Sequence, residues 1–507
     1  MTISDYINKL GFVNDPFLHT NADKESDYLG GYFIKPDYFE DVWGDPLSPV
    51  SNIIYAPRGG GKTAQRIMIE KRAKEYDNVL TITYASHDLS PFKKIDDITI
   101  RYHLEYLNRL LLIAFFNRIS DSQYDFKQLL KFDERQYLFK LSKLYLYDTP
   151  VTFPSQAINS LKCLQDRIVD IWNNFRLPIS KVIKSISKNQ GVEIDLSDVN
   201  VEKSIETNHK ENLYNLIELI RKVGYVSVYV LIDKVDEQSL TGNDPEASFL
   251  LIKDLIRDLE LLETPNLCFK FFLWDALKPY VVSVARPDRV FSYDLKWSWN
   301  QMQEMLNKRV AVFSNGKIED ILKIYSDAKY LGRTILFSEY SPRDCIRICK
   351  RILSEQFKEN SASLKFEGKI VDKAISIFSE ERTRELINSE SNYKHLTKVN
   401  RVSFSIEELV VGKVGADSTT IRNIINPWTT SMILKKIGLL KRKNARAVNE
   451  YAFQDVRVAF IACSSLSIEE FVNKKVKRCK NHECKHIYYR DFDKRPYPCP
   501  ICNYELY

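Results

Sequence analysis

An α/β architecture built on a parallel sheet is predicted for this chain of 507 residues, joined by a helical insertion, a helical lid and two small C-terminal modules. Three observations predict it. Short strands rich in β-branched and aromatic residues alternate with helix-period segments between residues 51 and 300, the pattern that places parallel strands between helical crossovers. The run Val226–Ile232 is continuously apolar, as expected of a strand buried on both faces. A glycine-rich stretch, "APRGGGKT", stands between one such strand and one such helix.

Composition bounds the remaining classes. With 44% hydrophobic and 28% charged residues the chain is too apolar to be largely disordered and long enough for several cores. The formal charge of +7 is mild for this length, although basic residues thicken towards the C-terminus. No uninterrupted apolar run reaches membrane-spanning length, and the opening "MTISDYINKLGFVNDPF" lacks a signal-peptide pattern. A cytoplasmic protein without membrane contact is expected. Of nine cysteines, Cys163, Cys268, Cys345, Cys349 and Cys463 fall in apolar segments and read as core, whereas four cluster at the C-terminus. There is no nuclease, protease or glycosidase constellation, no internal repeat and no low-complexity tract.

A segment over residues 1–50 is expected to pack on the sheet domain, where Tyr32 and Phe33 either stack on a base or fill the core. The domain itself spans 51–300. "SNIIYA" gives its first strand, and "KTAQRIMIEKRAKEY" the following helix, with Ala64, Ile67, Met68 and Ala73 on or near one face. Between them Gly59, Gly60 and Gly61 let backbone N–H groups approach a phosphate chain, Lys62 reaches the terminal phosphates, and the Thr63 hydroxyl binds Mg²⁺. Arg58 and Ala64 flank this cradle. Ala56 stands where the pattern G-x-x-x-x-G-K-[ST] has glycine, a small departure because that residue only has to leave the strand. "NVLTITYAS" supplies another strand, and a helical insertion follows over about 95–215. The strand Val226–Ile232 then ends in Asp233, placed to complete the Mg²⁺ shell, with Asp236 and Glu237 as candidates to polarise an attacking water. The bland alternative for such acidic residues is turn formation.

The pairing of "APRGGGKT" with "VLIDKVDE" resembles the STAND and AAA+ branches of P-loop NTPases. Its Asp-x-x-Asp-Glu pattern is similar to that of NACHT-type signalling ATPases. The segment "NDPFLHTNADKESDYLGGYFIKPDYFEDVWGDPLSP" looks like the opening of bacterial stand-alone P-loop ATPases. The resemblance covers about residues 10 to 350 and is carried by the two motifs. It implies ATP with Mg²⁺ as ligands, and a setting in bacterial anti-phage or stress signalling. Asp275, after the strand in "NLCFKFFLWDALKPY", matches a γ-phosphate sensor in position, with a structural role as the alternative. Arg286 and Arg289 in "VARPDRVFSYDLKWS" are arginine-finger candidates, or solvated surface groups. In the lid, expected over 301–395, "EYSPRDCIRICKRILSEQF" begins a helix capped by Ser341, and Arg343 resembles the sensor-2 arginine of AAA+ lids. Lys234 occupies the place where many AAA+ enzymes carry their catalytic glutamate.

Over 396–466, helical runs from Ser405, Ser418 and Thr429 precede an alternating stretch, Ala447–Phe460, that suits a hairpin, in the order of a winged helix. The run from Thr429 is expected to carry Lys435 and Lys436, with Lys441, Arg442, Lys443 and Arg446 in the turn beyond it. These suit phosphate contacts; an internal regulatory role is the other reading. Over 467–507, Cys479 and Cys484 form one knuckle and Cys499 and Cys502 a second, expected to converge on one Zn²⁺; the four residues inside the first depart from a C-x₂-C pair, and His482 or His486 could substitute for one sulfur. A closed four-ligand site is structural. The basic residues around it suit nucleic acid or a solvated face.

The leading expectation is a nucleotide-controlled switch whose C-terminal modules engage nucleic acid, an effector protein or further copies of the chain. A DNA-remodelling ATPase of the origin-recognition kind, and a nucleotide-bound scaffold without turnover, are the rivals.

Overall fold

The computed structural model describes residues 1–85, 89–120, 130–142, 144–145, 208–415, 417–442, 445–481, 487–491, 499, 502 and 504. Cys163, Cys484, His482, His486, Lys443 and most of the central part of the helical insertion lie outside them. The chain divides into two compact units, Asn21–Lys296, and Met1–Thr20 with Trp297–Tyr507.

The first unit is built on five parallel strands, β1 (Asn52–Ala56), β2 (Val79–Tyr84), β3 (Ser227–Ile232), β4 (Leu267–Trp274) and β5 (Phe291–Asp294), in the order β2-β3-β4-β1-β5. The first four are buried almost throughout because helices cover both faces, which is why their sequences are runs of apolar residues without a polar alternation. On one face Ile69 and Ala73 of the helix Lys62–Tyr76 pack with Phe39, Val42 and Trp43 against Ile54, Tyr229, Leu231 and Phe272. On the other, helices Ile100–Ser120, His209–Lys222 and Pro245–Arg257 cover Ile53, Tyr55, Ile82, Val230 and Phe271. Tyr32 and Phe33 belong to the packing: Tyr32 is buried and donates to Glu25 at 2.7 Å, and Phe33 meets Phe39 edge-on at 5.5 Å. The register pairs Ala56 with Trp274 and Ile232 with Phe271, so the C-terminal ends of β1, β3 and β4 emerge side by side. In parallel sheets that edge is where ligands bind.

In the second unit, helices Trp299–Phe313, Ala328–Phe337, Pro342–Asn360 and Gly368–Ile387 form the helical part. Ser341 caps the third of them by accepting from the Asp344 N–H, with Pro342 in the first turn, as the sequence predicts. Cys345 and Cys349 are buried there, as Cys268 and Cys463 are elsewhere. Beyond it lie β6 (Ser403–Ser405), helices Ile406–Val411 and Ser418–Thr430, and the antiparallel strands β7 (Leu434–Arg442) and β8 (Ala445–Phe453), with sheet order β6-β8-β7. This corrects the expected helix from Thr429: the preceding helix ends at Thr430, Met432 turns with φ 56°, and Lys435 and Lys436 lie exposed on β7. The hairpin expected over Ala447–Phe460 lies earlier, between β7 and β8, and the alternating stretch ends at Phe453, after which Asp455 caps a helix over Val456–Ala462. The last described elements are the helix Ile468–Lys475 and the short antiparallel pair β9 (Val476–Arg478) and β10 (Ile487–Tyr489).

Candidate functional site

The loop after β1 is shaped by its glycines. Gly59 and Gly61 hold φ values of 77° and 105°, a region that side chains disfavour. Gly60 turns back so that its N–H donates to the Pro57 carbonyl at 3.0 Å, and a Cβ there would stand 2.9 Å from that oxygen. The helix starts at Lys62, so the N–H groups of its first turn, through Ala64, point out of the helix towards the loop. A cradle open to backbone approach and followed by a helix N-terminus fits a chain of phosphates. Lys62 folds over the loop, its Nζ 3.1 Å from the Ala56 carbonyl and 3.3 Å from that of Pro57.

β3 delivers the acidic side. The Thr63 hydroxyl donates to Asp233 Oδ2 at 2.9 Å, bringing the two expected Mg²⁺ groups together across 170 residues of sequence. Asp233 is buried, and its Oδ1 accepts the Lys234 N–H at 2.9 Å. Lys234 itself takes a left-handed turn, φ 56°, and its side chain goes to Asp23 at 2.6 Å. Beyond it, Asp236 is buried and Glu237 exposed, both in a short turn.

Arg66 is a hub that the motif alone does not announce. It is buried, with Nε 3.1 Å from Asp233 Oδ2, Nη1 2.6 Å from Glu70, and Nη2 on Asp23. Burial favours the neutral form of Asp23, but Arg66 and Lys234 outweigh it and hold the carboxyl below its ordinary pKa. A helical reading of the spacing gives the signal: Thr63, Arg66 and Glu70 are three and four residues apart and share a face. Gln65 donates to the Tyr38 hydroxyl at 3.2 Å, and Tyr38 stacks on Tyr293 at 5.0 Å.

Arg58 reaches across all three strand ends. Its Nε lies 2.9 Å from Asp236 Oδ2, and its guanidinium sits 3.9 Å over the Trp274 ring. The next residue, Asp275, is open to solvent, yet the chain around its carboxyl raises its pKa, an effect opposed by the charge of Lys62. Arg286 and Arg289 are each engaged on a nearby carboxylate, Arg286 on Asp288 at 3.2 Å and Arg289 in a two-bond pair with Glu263 at 2.7 Å. Arg343 is exposed in the first turn of its helix, in the other compact unit.

A second cluster forms at the C-terminus. The sulfurs of Cys479, Cys499 and Cys502 lie within 4.8 Å of one another, with Cys479 and Cys502 at 3.6 Å. Two thiolates on a tetrahedral Zn²⁺ stand about 3.8 Å apart, given Zn–S bonds of about 2.3 Å, so this spacing fits a shared ion. The Asn481 N–H points at the Cys479 sulfur at 3.4 Å, the kind of outer contact that steadies a thiolate ligand.

No family model and no curated protein matches the sequence. Among solved structures, that of the Aeropyrum pernix ORC1 protein in complex with DNA aligns over 88% of this chain and 97% of its own, with 10% identity and a TM-score of 0.36. Similarity at that level assigns neither family nor function.

Proposed function

We propose that this chain is an ATP-binding and ATP-hydrolysing molecular switch whose C-terminal modules engage nucleic acid. The observation that carries the reading is the 2.9 Å bond between Thr63 and Asp233, made directly beyond a glycine cradle over which Lys62 is folded. A bound Mg²⁺–triphosphate supplies the electrophilic phosphorus and a cation that neutralises developing charge. Lys62 and the N–H groups of Gly59 and Gly61–Ala64 hold the phosphate chain. Thr63 and Asp233 orient the cation, and Arg66 keeps Asp233 aimed at it. Asp236 and Glu237 are the groups near the β3 end able to align a water; Asp236 is the better held, since its carboxylate is buried. Asp275 stands after β4, beside the same edge.

Nucleic acid is favoured over a protein effector by the C-terminal chemistry. Two helices between β6 and β7, followed by a two-stranded ribbon that pairs back on β6, support a winged-helix arrangement. The helix Ser418–Thr430 exposes Arg422, Asn423 and Asn426, and β7 exposes Lys435 and Lys436, groups suited to base edges and phosphates respectively. Cys479, Cys499 and Cys502 would hold a structural Zn²⁺ with Cys484 as fourth ligand.

Steady-state ATP hydrolysis by wild type and Asp233→Ala, with and without duplex DNA at two salt concentrations, tests the reading. Expected are turnover lost in the variant and DNA stimulation that fades as salt rises. Turnover equal in both proteins overturns the active-site assignment, and DNA indifference overturns the nucleic-acid arm.

A further inference from the structure

Arg58 sits one residue before the three glycines of the phosphate loop, yet its side chain is not left to solvent. Its Nε is paired with Asp236 at 2.9 Å, its Nη2 lies 3.5 Å from the Asn243 carbonyl, and its guanidinium is stacked on Trp274 at 3.9 Å. Asp236 is only 6% exposed. A buried carboxylate deprived of its cation is costly, so this pair holds until a stronger anion competes for the arginine. Stacking on an indole adds to the hold.

The geometry gives the competitor. The loop that carries Arg58 is the one that wraps the phosphates, and the end of β1 is paired with Trp274 at the end of β4. A terminal phosphoryl group in this cradle lies beside the edge that Arg58 already spans, and a planar guanidinium prefers a phosphate that it can grip with two N–H groups. We propose that Arg58 is an arginine switch internal to the phosphate loop, and this rests on the nucleotide reading above. With the outer phosphate position empty, the guanidinium is latched on Asp236 and Trp274. With a triphosphate, it moves to the outermost phosphoryl group and frees the Asp236 carboxylate to align water. A diphosphate leaves the latch closed. The same arginine thereby distinguishes the two nucleotides and couples that distinction to the release of the acidic group.

The test is tryptophan emission of the full-length protein titrated with Mg²⁺ and either AMP-PNP or ADP, with a Trp274→Phe variant to isolate the Trp274 signal. Binding of both nucleotides is followed separately by calorimetry. AMP-PNP is expected to shift the Trp274 emission and ADP to leave it unchanged. In Arg58→Ala the emission of the nucleotide-free protein should already match that shifted state. Its preference for AMP-PNP over ADP should fall by about tenfold, as befits one lost charge-assisted contact, with Arg58→Lys intermediate. Wild type that binds AMP-PNP without any Trp274 response, or Arg58→Ala with an unaltered nucleotide preference, overturns the switch while leaving the site standing. Wild type that binds neither nucleotide overturns the site itself, and the switch with it.

Discussion

At Gly60 one missing carbon decides whether the loop can close. A methyl group placed there meets the Pro57 carbonyl oxygen at 2.9 Å, and that oxygen belongs to the backbone, so the loop must move rather than a side chain. A forced shift of this kind costs about 1–3 kcal/mol, and it falls on the atoms that line the cradle. Gly60→Ala is therefore expected to weaken nucleotide binding by about tenfold or more while far-ultraviolet circular dichroism stays that of wild type; equal affinity would show that the loop is not the binding element. The glycine turn with Lys62 folded over it is legible in sequence because a short motif dictates its own local geometry, and the position of Asp233 because a buried apolar strand ends at it. The Arg66 hub is not, since its partners Asp23 and Asp233 are 43 and 167 residues away and only the fold brings them together. His103 gives a second residue-scale prediction. Burial pushes its imidazole down from 6.5 to about 4, and its Nδ1 faces the Tyr84 hydroxyl at 2.5 Å. The unfolded chain takes up a proton below about pH 6.5 that the folded core refuses. The contribution to stability is thus complete above 6.5 and is lost as the pH falls towards 4, by up to about 3 kcal/mol. In urea unfolding the difference between wild type and His103→Gln should shrink by that order from pH 7 to pH 4.5, and a pH-independent difference would contradict it.

Elements were more legible where they are buried than where they are exposed. The four buried strands β1 to β4, read as apolar runs, occur where that pattern predicts, because a parallel strand covered on both faces has no polar alternation to confuse, whereas the edge strand β5 is mostly exposed. The ribbon β7–β8 misled. Its Leu434 is buried while Lys435, Lys436 and Gly438 are exposed, and a pair of adjacent lysines breaks strict alternation, so the stretch reads as the end of a helix. The pairing settles it: register shifts between Lys436 and Gly438 carry the irregularity that hides the period. The consequence is functional, since both lysines move from a helix to the ribbon. Exposed on a strand, they can be reversed in charge with little effect on folding. Lys435→Glu with Lys436→Glu is expected to lower duplex-DNA affinity about tenfold near physiological salt and to flatten the salt dependence by about two phosphate contacts. The melting temperature should stay within a degree or two of wild type. Unaltered DNA binding would move the contact surface away from the ribbon.

For the whole molecule, the division into two units separates two chemistries. The glycine-rich loop after β1 and its acidic partners all fall within Asn21–Lys296, which has a core of its own. The cysteine cluster belongs to the other unit, and there it is fastened to much more than its own short strands. The Asp491 carboxylate accepts the N–H groups of Val402 and Ser403 at 3.1 and 3.0 Å, beside the start of β6, and pairs with Lys475. Tyr489 donates to Glu339 at 2.8 Å, a carboxylate that also accepts the Val456 N–H at 2.5 Å. Residues 489–491 thus tie the cysteine region to the helical part and to the three-stranded sheet. The ties to β6 and to the helical part were not visible in sequence, because they join segments 88 to 150 residues apart through one or two bonds each. A bound ion that holds Cys479, Cys499 and Cys502 would fix the position of this anchor, and its binding energy would then stabilise the unit as a whole. Cys499→Ser, and chelation of the wild type, are each expected to remove stoichiometric zinc and to lower the thermal transition of this unit by several degrees. Nucleotide affinity should remain, because no group of the phosphate site belongs to the unit that melts early. Zinc absent from the purified protein would overturn the metal assignment, and an equal loss of nucleotide binding would show that the two chemistries are not separable.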